Sequence, residues 1–183
     1  MPSNVTVPKV REAKGGEPLV MITAYDAPTA RWAEQAGADI LLVGDSLAMV
    51  VLGHDSTLAV TVDEMIHHCR AVMRASSRCL VVGDMPFGSY QVSVEETVRA
   101  AVRFLKESGV HTVKLEGRWP DRVEALVKAG IPVMGHLGLT PQSVNRLGGY
   151  RVQGRTVEDA RELLAAAREL EAAGCYSIVL EGV

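Results

Sequence analysis

Five ionisable residues close short apolar runs in this sequence, each beside a glycine: Asp45 in ILLVGDS, Asp84 in CLVVGDM, Glu116 in TVKLEG, His136 in PVMGHLG and Glu181 in SIVLEG. Four of the five are carboxylic acids. Apolar runs of this length read as strands, and acids at equivalent ends of neighbouring strands converge. Converging carboxylates repel and raise one another's pKa unless a cation neutralises them, so a hard divalent ion is the natural occupant. Oxygen donors, with neither thiolates nor several imidazoles among them, suit Mg²⁺ better than zinc. The competing explanation is that each acid merely caps the helix that follows it.

Lys114 stands two residues before Glu116, so on a strand both side chains face the same way. A buried lysine needs an anion, either a substrate carboxylate or developing oxyanion, or a neighbouring acid of the protein. For His136 three roles are open: metal ligand, base, or a core histidine with its hydrogen bonds satisfied. Ser46 follows Asp45 without the Gly-x-Ser-x-Gly turn of a serine nucleophile. Cys69, Cys79 and Cys175 are odd in number and far apart, which argues against disulfides and zinc. We read them as small buried hydrophobes, and His54, His67, His68 and His111 as structural.

The elements that must position these groups repeat along the chain as a helix, a glycine, an apolar strand and then a polar residue beside glycine. Gly37, Gly109, Gly130 and Gly174 each follow an amphipathic stretch, where a helix C-terminus calls for positive φ. Thr61-x-x-Glu64 and Ser93-x-x-Glu96 have capping-box spacing, and Thr156-x-x-Asp159 is a weaker variant. The pattern places Val94, Val98, Val102 and Leu105 on one helix face, and Val157, Ala160, Leu164, Ala167 and Leu170 on another. With LVMITAY from Leu19, six strands are expected, alternating with crossover helices as in a parallel sheet. A Gly-x-Gly-x-x-Gly turn does not follow the first strand, so we favour a (β/α)₈ barrel over an open dinucleotide-binding sheet. Such a barrel takes about 250 residues. The 183 residues here supply about the first six β/α units, as a single domain over 1–183 that stops short at its C-terminus. Residues 1–17 read as a loose polar N-terminal arm, and LGLTPQSVNRLGGYRVQGR from Leu137 as a long loop that is either a lid or a surface loop with a short helix from Thr140-Pro141.

Composition narrows the function. At 48% hydrophobic and a net charge of -3, the sequence describes a soluble globular protein without the basic stripe of a nucleic-acid binder. No apolar run approaches the length of a membrane span, and the first residues carry no apolar signal segment, so a cytoplasmic location is expected.

The blocks ITAYDAPTAR from Ile22, VGDSLAMVVLGHDST from Val43, GDMPFGSYQ from Gly83, VKLEG from Val113, PVMGHLGLTPQSVNRLGGYRVQGR from Pro132 and VLEGV from Val179 resemble the ketopantoate hydroxymethyltransferase family. The resemblance implies a barrel of the phosphoenolpyruvate mutase and isocitrate lyase superfamily. It implies transfer of a hydroxymethyl group from 5,10-methylenetetrahydrofolate to 3-methyl-2-oxobutanoate, giving 2-dehydropantoate for pantothenate biosynthesis, in a Mg²⁺-dependent homo-oligomer, a decamer. Carried over by position, Asp45 and Asp84 are similar to direct metal ligands and Glu116 to a third acid acting through water. Asp45, Ser46, Asp84, Lys114 and His136 match substrate contacts, and Glu181 matches the catalytic base. Two alternatives are another Mg²⁺-dependent 2-oxo-acid lyase or mutase of that superfamily, and an inactive chain serving only as an assembly subunit. The lyases usually carry a reactive cysteine in a Lys/Cys/Gly/His loop, which no stretch here resembles.

Overall fold

A computed structural model describes residues 4–183. Its six strands are β1 (Met21–Thr23), β2 (Ile40–Val43), β3 (Leu80–Asp84), β4 (Thr112–Glu116), β5 (Val133–Gly138) and β6 (Ser177–Glu181). All pair in parallel, in chain order, and the sheet curls into a partial (β/α)₈ barrel. Helix α1 (Val7–Glu12) precedes β1. The crossovers carry α2 (Ala27–Gln35), α3 (Leu47–Val50) with α4 (Val62–Ala75), α5 (Val94–Arg103), α6 (Pro120–Lys128), and α7 (Val144–Leu147) with α8 (Val157–Ala173).

Local chemistry accounts for the helix ends. The Thr61/Glu64 box closes reciprocally at α4, and Thr156/Asp159 does the same at α8 despite its shorter acid; at α5 Ser93 accepts from the Glu96 N–H without the return bond. Gly37, Gly109, Gly130 and Gly174 all have positive φ, between 81° and 109°, so each helix turns into its strand through a conformation only glycine adopts freely.

Strand side chains alternate between two environments. Leu41, Val43, Val81, Val113, Leu115 and Val133 pack outward under the helices, while Ile40, Leu80, Val82, Met134 and Tyr176 form a separate inner cluster. The inner parity continues upward to Asp84, Lys114, Glu116 and His136, so strand alternation itself aims the polar residues into the barrel.

The helix faces agree with expectation in part, since Val98, Leu105, Ala167 and Leu170 pack against the core. Helix α5 buries Thr97 and Ala101, while Val94 and Val102 stay more than a third exposed; α8 buries Ala166 and Leu170, leaving Val157 and Leu164 exposed. Phe104 just after α5 shows how tight the fit is, because a Cβ on Gly83 would lie 2.7 Å from its ring. The N-terminal arm also differs, since Val5, Val7 and Val10 pack against the inner cluster and the Val5 N–H donates to the Arg78 carbonyl at 2.9 Å. Apolar side chains spaced along a single helical turn tie it down. The long loop after β5 does contain a short helical segment at Thr140-Pro141, and it is anchored by Leu139 and Gln153 N–H groups donating to the Glu181 and Gly182 carbonyls, both at 2.7 Å.

Candidate metal centre and active site

Asp84 ends β3, Glu116 ends β4, His136 lies in β5 opposite Glu116, and Asp45 follows β2 by two residues. With Lys114 they form one buried cluster, each between 2 and 4% exposed. Oxygens of Asp45, Asp84 and Glu116 all lie within 4.8 Å of one another. The Asp45 backbone N–H donates to Asp84 Oδ2 at 3.2 Å, and the Lys114 ammonium sits 2.7 Å from Asp84 Oδ1, 3.6 Å from Glu116 Oε1 and 3.2 Å from His136 Nδ1. None of the three acids caps a helix: the side-chain caps of α4 and α5 come from Thr61 and Ser93, and α6 begins at Trp119-Pro120. In this state Lys114 is an internal ion-pair partner.

The charges do not balance. Three carboxylates face one ammonium, a formal excess of two negative charges if every acid is ionised. Burial, reinforced by the Asp84 charge, pushes the Asp45 carboxyl up to about 8, and burial raises Asp84 as well, although Lys114 opposes it. For Glu116 the burial penalty is outweighed by His136 and Lys114, and its carboxyl is held below the ordinary value. Burial alone would lower Lys114, but the surrounding acids hold it above its usual range. Asp84 Oδ1 has close contact with Lys114 without hydrogen-bond geometry, and no other partner among the described residues. The all-oxygen donor set, with a formal excess of two negative charges once its acids are ionised, fits a divalent hard cation such as Mg²⁺.

A family model for ketopantoate hydroxymethyltransferase matches residues 4–183. The chain belongs to that family. Among its relatives are the 3-methyl-2-oxobutanoate hydroxymethyltransferases of Syntrophobacter fumaroxidans, 58% identical over all of this chain and 66% of the relative, and of Thermobifida fusca, 60% identical over 98% of this chain and 65% of the relative. The chain thus spans just under two thirds of the length of these relatives. Solved structures agree on the fold: a 2,3-dimethylmalate lyase of the PEP mutase/isocitrate lyase superfamily superposes with a TM-score of 0.68 at 22% identity, covering 98% of this chain and 62% of that one. A phosphonopyruvate hydrolase in complex with oxalate and Mg²⁺ gives 0.70 at 14%, covering 97% and 63%.

In this chain Glu181 stands outside the three-acid cluster. Its carboxylate is 46% exposed, and Oε2 lies 3.2 Å from His136 Nε2, while His136 Nδ1 lies 3.2 Å from Glu116 Oε1. His136 therefore lies between the metal-type acids and the acid at the end of β6, its Nε2 contact with Glu181 lacking hydrogen-bond geometry. The Ser46 hydroxyl pairs with the Tyr25 hydroxyl at 2.9 Å. Two further participants lie inside the motif blocks from Gly83 and Pro132 but were not singled out from the sequence. Gln142, from the loop after β5, donates from its side-chain amide to Asp45 Oδ2, and Tyr90 packs beneath it with its hydroxyl accepting the Glu116 N–H at 3.2 Å. Their motif blocks could have drawn attention to them, but an amide and a phenol do not by type suggest metal chemistry, and only the three-dimensional arrangement shows which acids they touch.

Proposed function

We propose that the protein transfers a hydroxymethyl group from 5,10-methylenetetrahydrofolate to 3-methyl-2-oxobutanoate, with water consumed and tetrahydrofolate and 2-dehydropantoate formed, as a Mg²⁺-dependent step of pantothenate biosynthesis. The observation that carries the proposal is the buried all-carboxylate cluster of Asp45, Asp84 and Glu116 in a chain of this family. Relatives at 58 and 60% identity bear the name of this activity, which supports it further.

Asp45 and Asp84 would hold Mg²⁺ directly. Glu116 would act through water, since one of its oxygens faces Lys114 and His136 and the other accepts the Gln142 N–H. When bound, Mg²⁺ supplies Lewis acidity to the 2-oxo group of the substrate and so acidifies its C3 hydrogen. Lys114 attracts the substrate carboxylate, and the Ser46 hydroxyl offers a neutral contact beside Asp45. Glu181 accepts the C3 proton; the electron pair left at C3 forms the new bond to the one-carbon unit, whose two C–N bonds to folate break, water supplying the product hydroxyl and, with the C3 proton, the protons that complete tetrahydrofolate. His136, held between Glu116 and Glu181, orients the base. A single barrel domain over 1–183 with the short N-terminal arm, a cytoplasmic setting and a homo-oligomer, as large as a decamer, belong to the same reading and rest on family membership.

The cysteine-dependent lyase alternative finds no support in the thiols of this chain. Cys69, Cys79 and Cys175 are buried, and burial pushes them up to about 12, 11 and 12, the opposite of a reactive thiolate. The test is direct: incubate the protein with both substrates and follow 2-dehydropantoate by mass spectrometry, with Mg²⁺ and with EDTA. Product that requires the metal supports the proposal, and cleavage of the oxo acid without one-carbon transfer overturns it.

A further inference from the structure

Gln142 is 5% exposed and touches three of the strand ends that build the acid cluster. Its backbone N–H donates to Glu116 Oε2 at 3.1 Å. Its side-chain Nε2 donates to Asp45 Oδ2 at 2.9 Å and to the Met85 carbonyl at 2.9 Å, so both amide hydrogens are used. Its Oε1 accepts from the Tyr90 hydroxyl at 2.5 Å, and that same hydroxyl accepts the Glu116 N–H at 3.2 Å. The amide can point only one way, because Nε2 faces two acceptors and Oε1 faces a donor. A buried network this completely satisfied is rigid.

From this geometry we infer that Gln142 is a positioning residue that sets the separation of Asp45 and Glu116, and thereby the size of cation the site accepts. The inference rests on the metal reading given above. One residue clamps a carboxylate that follows β2 and another at the end of β4, occupying one oxygen of each. What remains for a ligand is Asp45 Oδ1, held in a fixed direction. Mg²⁺ demands a near-ideal octahedron at about 2.0–2.1 Å, whereas Ca²⁺ tolerates longer, more variable bonds at about 2.3–2.6 Å. Loosening the clamp therefore penalises the smaller ion more. Because Gln142 rides on the loop after β5, ion selectivity is tied to the seating of that loop over the barrel mouth.

Calorimetric titration with MgCl₂ and separately with CaCl₂ tests this on the parental protein, on Gln142→Met and on Tyr90→Phe. Gln142→Met keeps the volume and the backbone N–H but loses the amide; Tyr90→Phe keeps the buried ring and frees Oε1. Groups that orient ligands typically contribute about 10- to 100-fold to metal affinity. The expected result is a drop of at least about tenfold for Mg²⁺ with Gln142→Met, a smaller drop for Ca²⁺, and a change in the same direction with Tyr90→Phe. A role in packing alone would lower thermal stability without altering the Mg²⁺/Ca²⁺ ratio. An unchanged ratio in Gln142→Met overturns the inference, and if that variant does not fold, an unchanged ratio in Tyr90→Phe does so. Failure of the parental protein to bind either ion overturns the metal reading itself, and this inference with it.

Discussion

Replacing Lys114 by Met removes the one buried cation from among three carboxylates while keeping most of the side-chain stem. At an effective dielectric of about 20, the 2.7 Å contact with Asp84 is a gross attraction of roughly 6 kcal/mol, and the ammonium's own desolvation cost of several kcal/mol offsets much of it. What persists is the cost of leaving buried carboxylates uncompensated, typically about 3–5 kcal/mol when one partner of such a pair is lost. Protonation limits that cost, since Asp45 and Asp84 already have raised pKa values. The deficit should therefore be largest near pH 8 and shrink toward pH 5, as the acids take up protons. Mg²⁺ should reduce it, because the ion supplies the missing positive charge. Denaturant unfolding of both proteins at pH 5.5 and pH 8, with EDTA or excess Mg²⁺, measures all three effects. Equal stability at pH 8 without metal, or a deficit independent of pH, would refute the reasoning.

Asp84→Ala should lower Mg²⁺ affinity and 3-methyl-2-oxobutanoate binding together, by about 100-fold or more for the metal, as read by calorimetry; unchanged Mg²⁺ affinity in a folded variant would make Asp84 structural. The Asp45 carboxyl, raised from 3.8 to about 8, contributes stability below about pH 4 that is lost as pH rises through 8 in the metal-free protein, while Mg²⁺ binding requires its deprotonation. Apparent Mg²⁺ affinity should thus climb by up to about tenfold per pH unit toward pH 8 and then level off, and the Mg²⁺-induced gain in melting temperature should be greater at pH 8 than at pH 6. Gly83→Ala should cost about 1–3 kcal/mol in thermal unfolding, since its Cβ would meet Phe104 at 2.7 Å, and Phe104→Leu should recover part of the loss.

All six strands, the glycines that end the helices and the caps at Thr61 and Thr156 were legible in the sequence because each depends on local backbone chemistry. The convergence of Asp45, Asp84 and Glu116 was legible for the same reason, since strand ends in a parallel barrel share one rim. The buried faces of α5 and α8 were legible only in part, because the closeness of helix to sheet is decided by partners such as Gly83 and Phe104, distant in sequence from one another. Two glycines in the polar motifs prove to be packing positions: Gly83 faces Phe104, and a Cβ on Gly135 would lie 3.1 Å from Leu170. Gln142 and Tyr90 lie within the motif blocks yet were not singled out, because their significance lies in which acids they touch. The N-terminal arm reads as polar when counted by composition, yet Val5, Val7 and Val10 suffice to seat it.

The central claim is that a metal held by Asp45 and Asp84 acidifies the substrate and that Glu181 removes the proton. Exchange of the C3 hydrogen of 3-methyl-2-oxobutanoate in D₂O, followed by proton NMR without folate, isolates that step from one-carbon transfer. The account predicts Mg²⁺-dependent exchange by the parental protein, slowed by about 10²- to 10⁴-fold in Glu181→Gln, with Mg²⁺ and oxo-acid binding retained. Exchange at the parental rate in Glu181→Gln, or exchange that persists in EDTA, would contradict it.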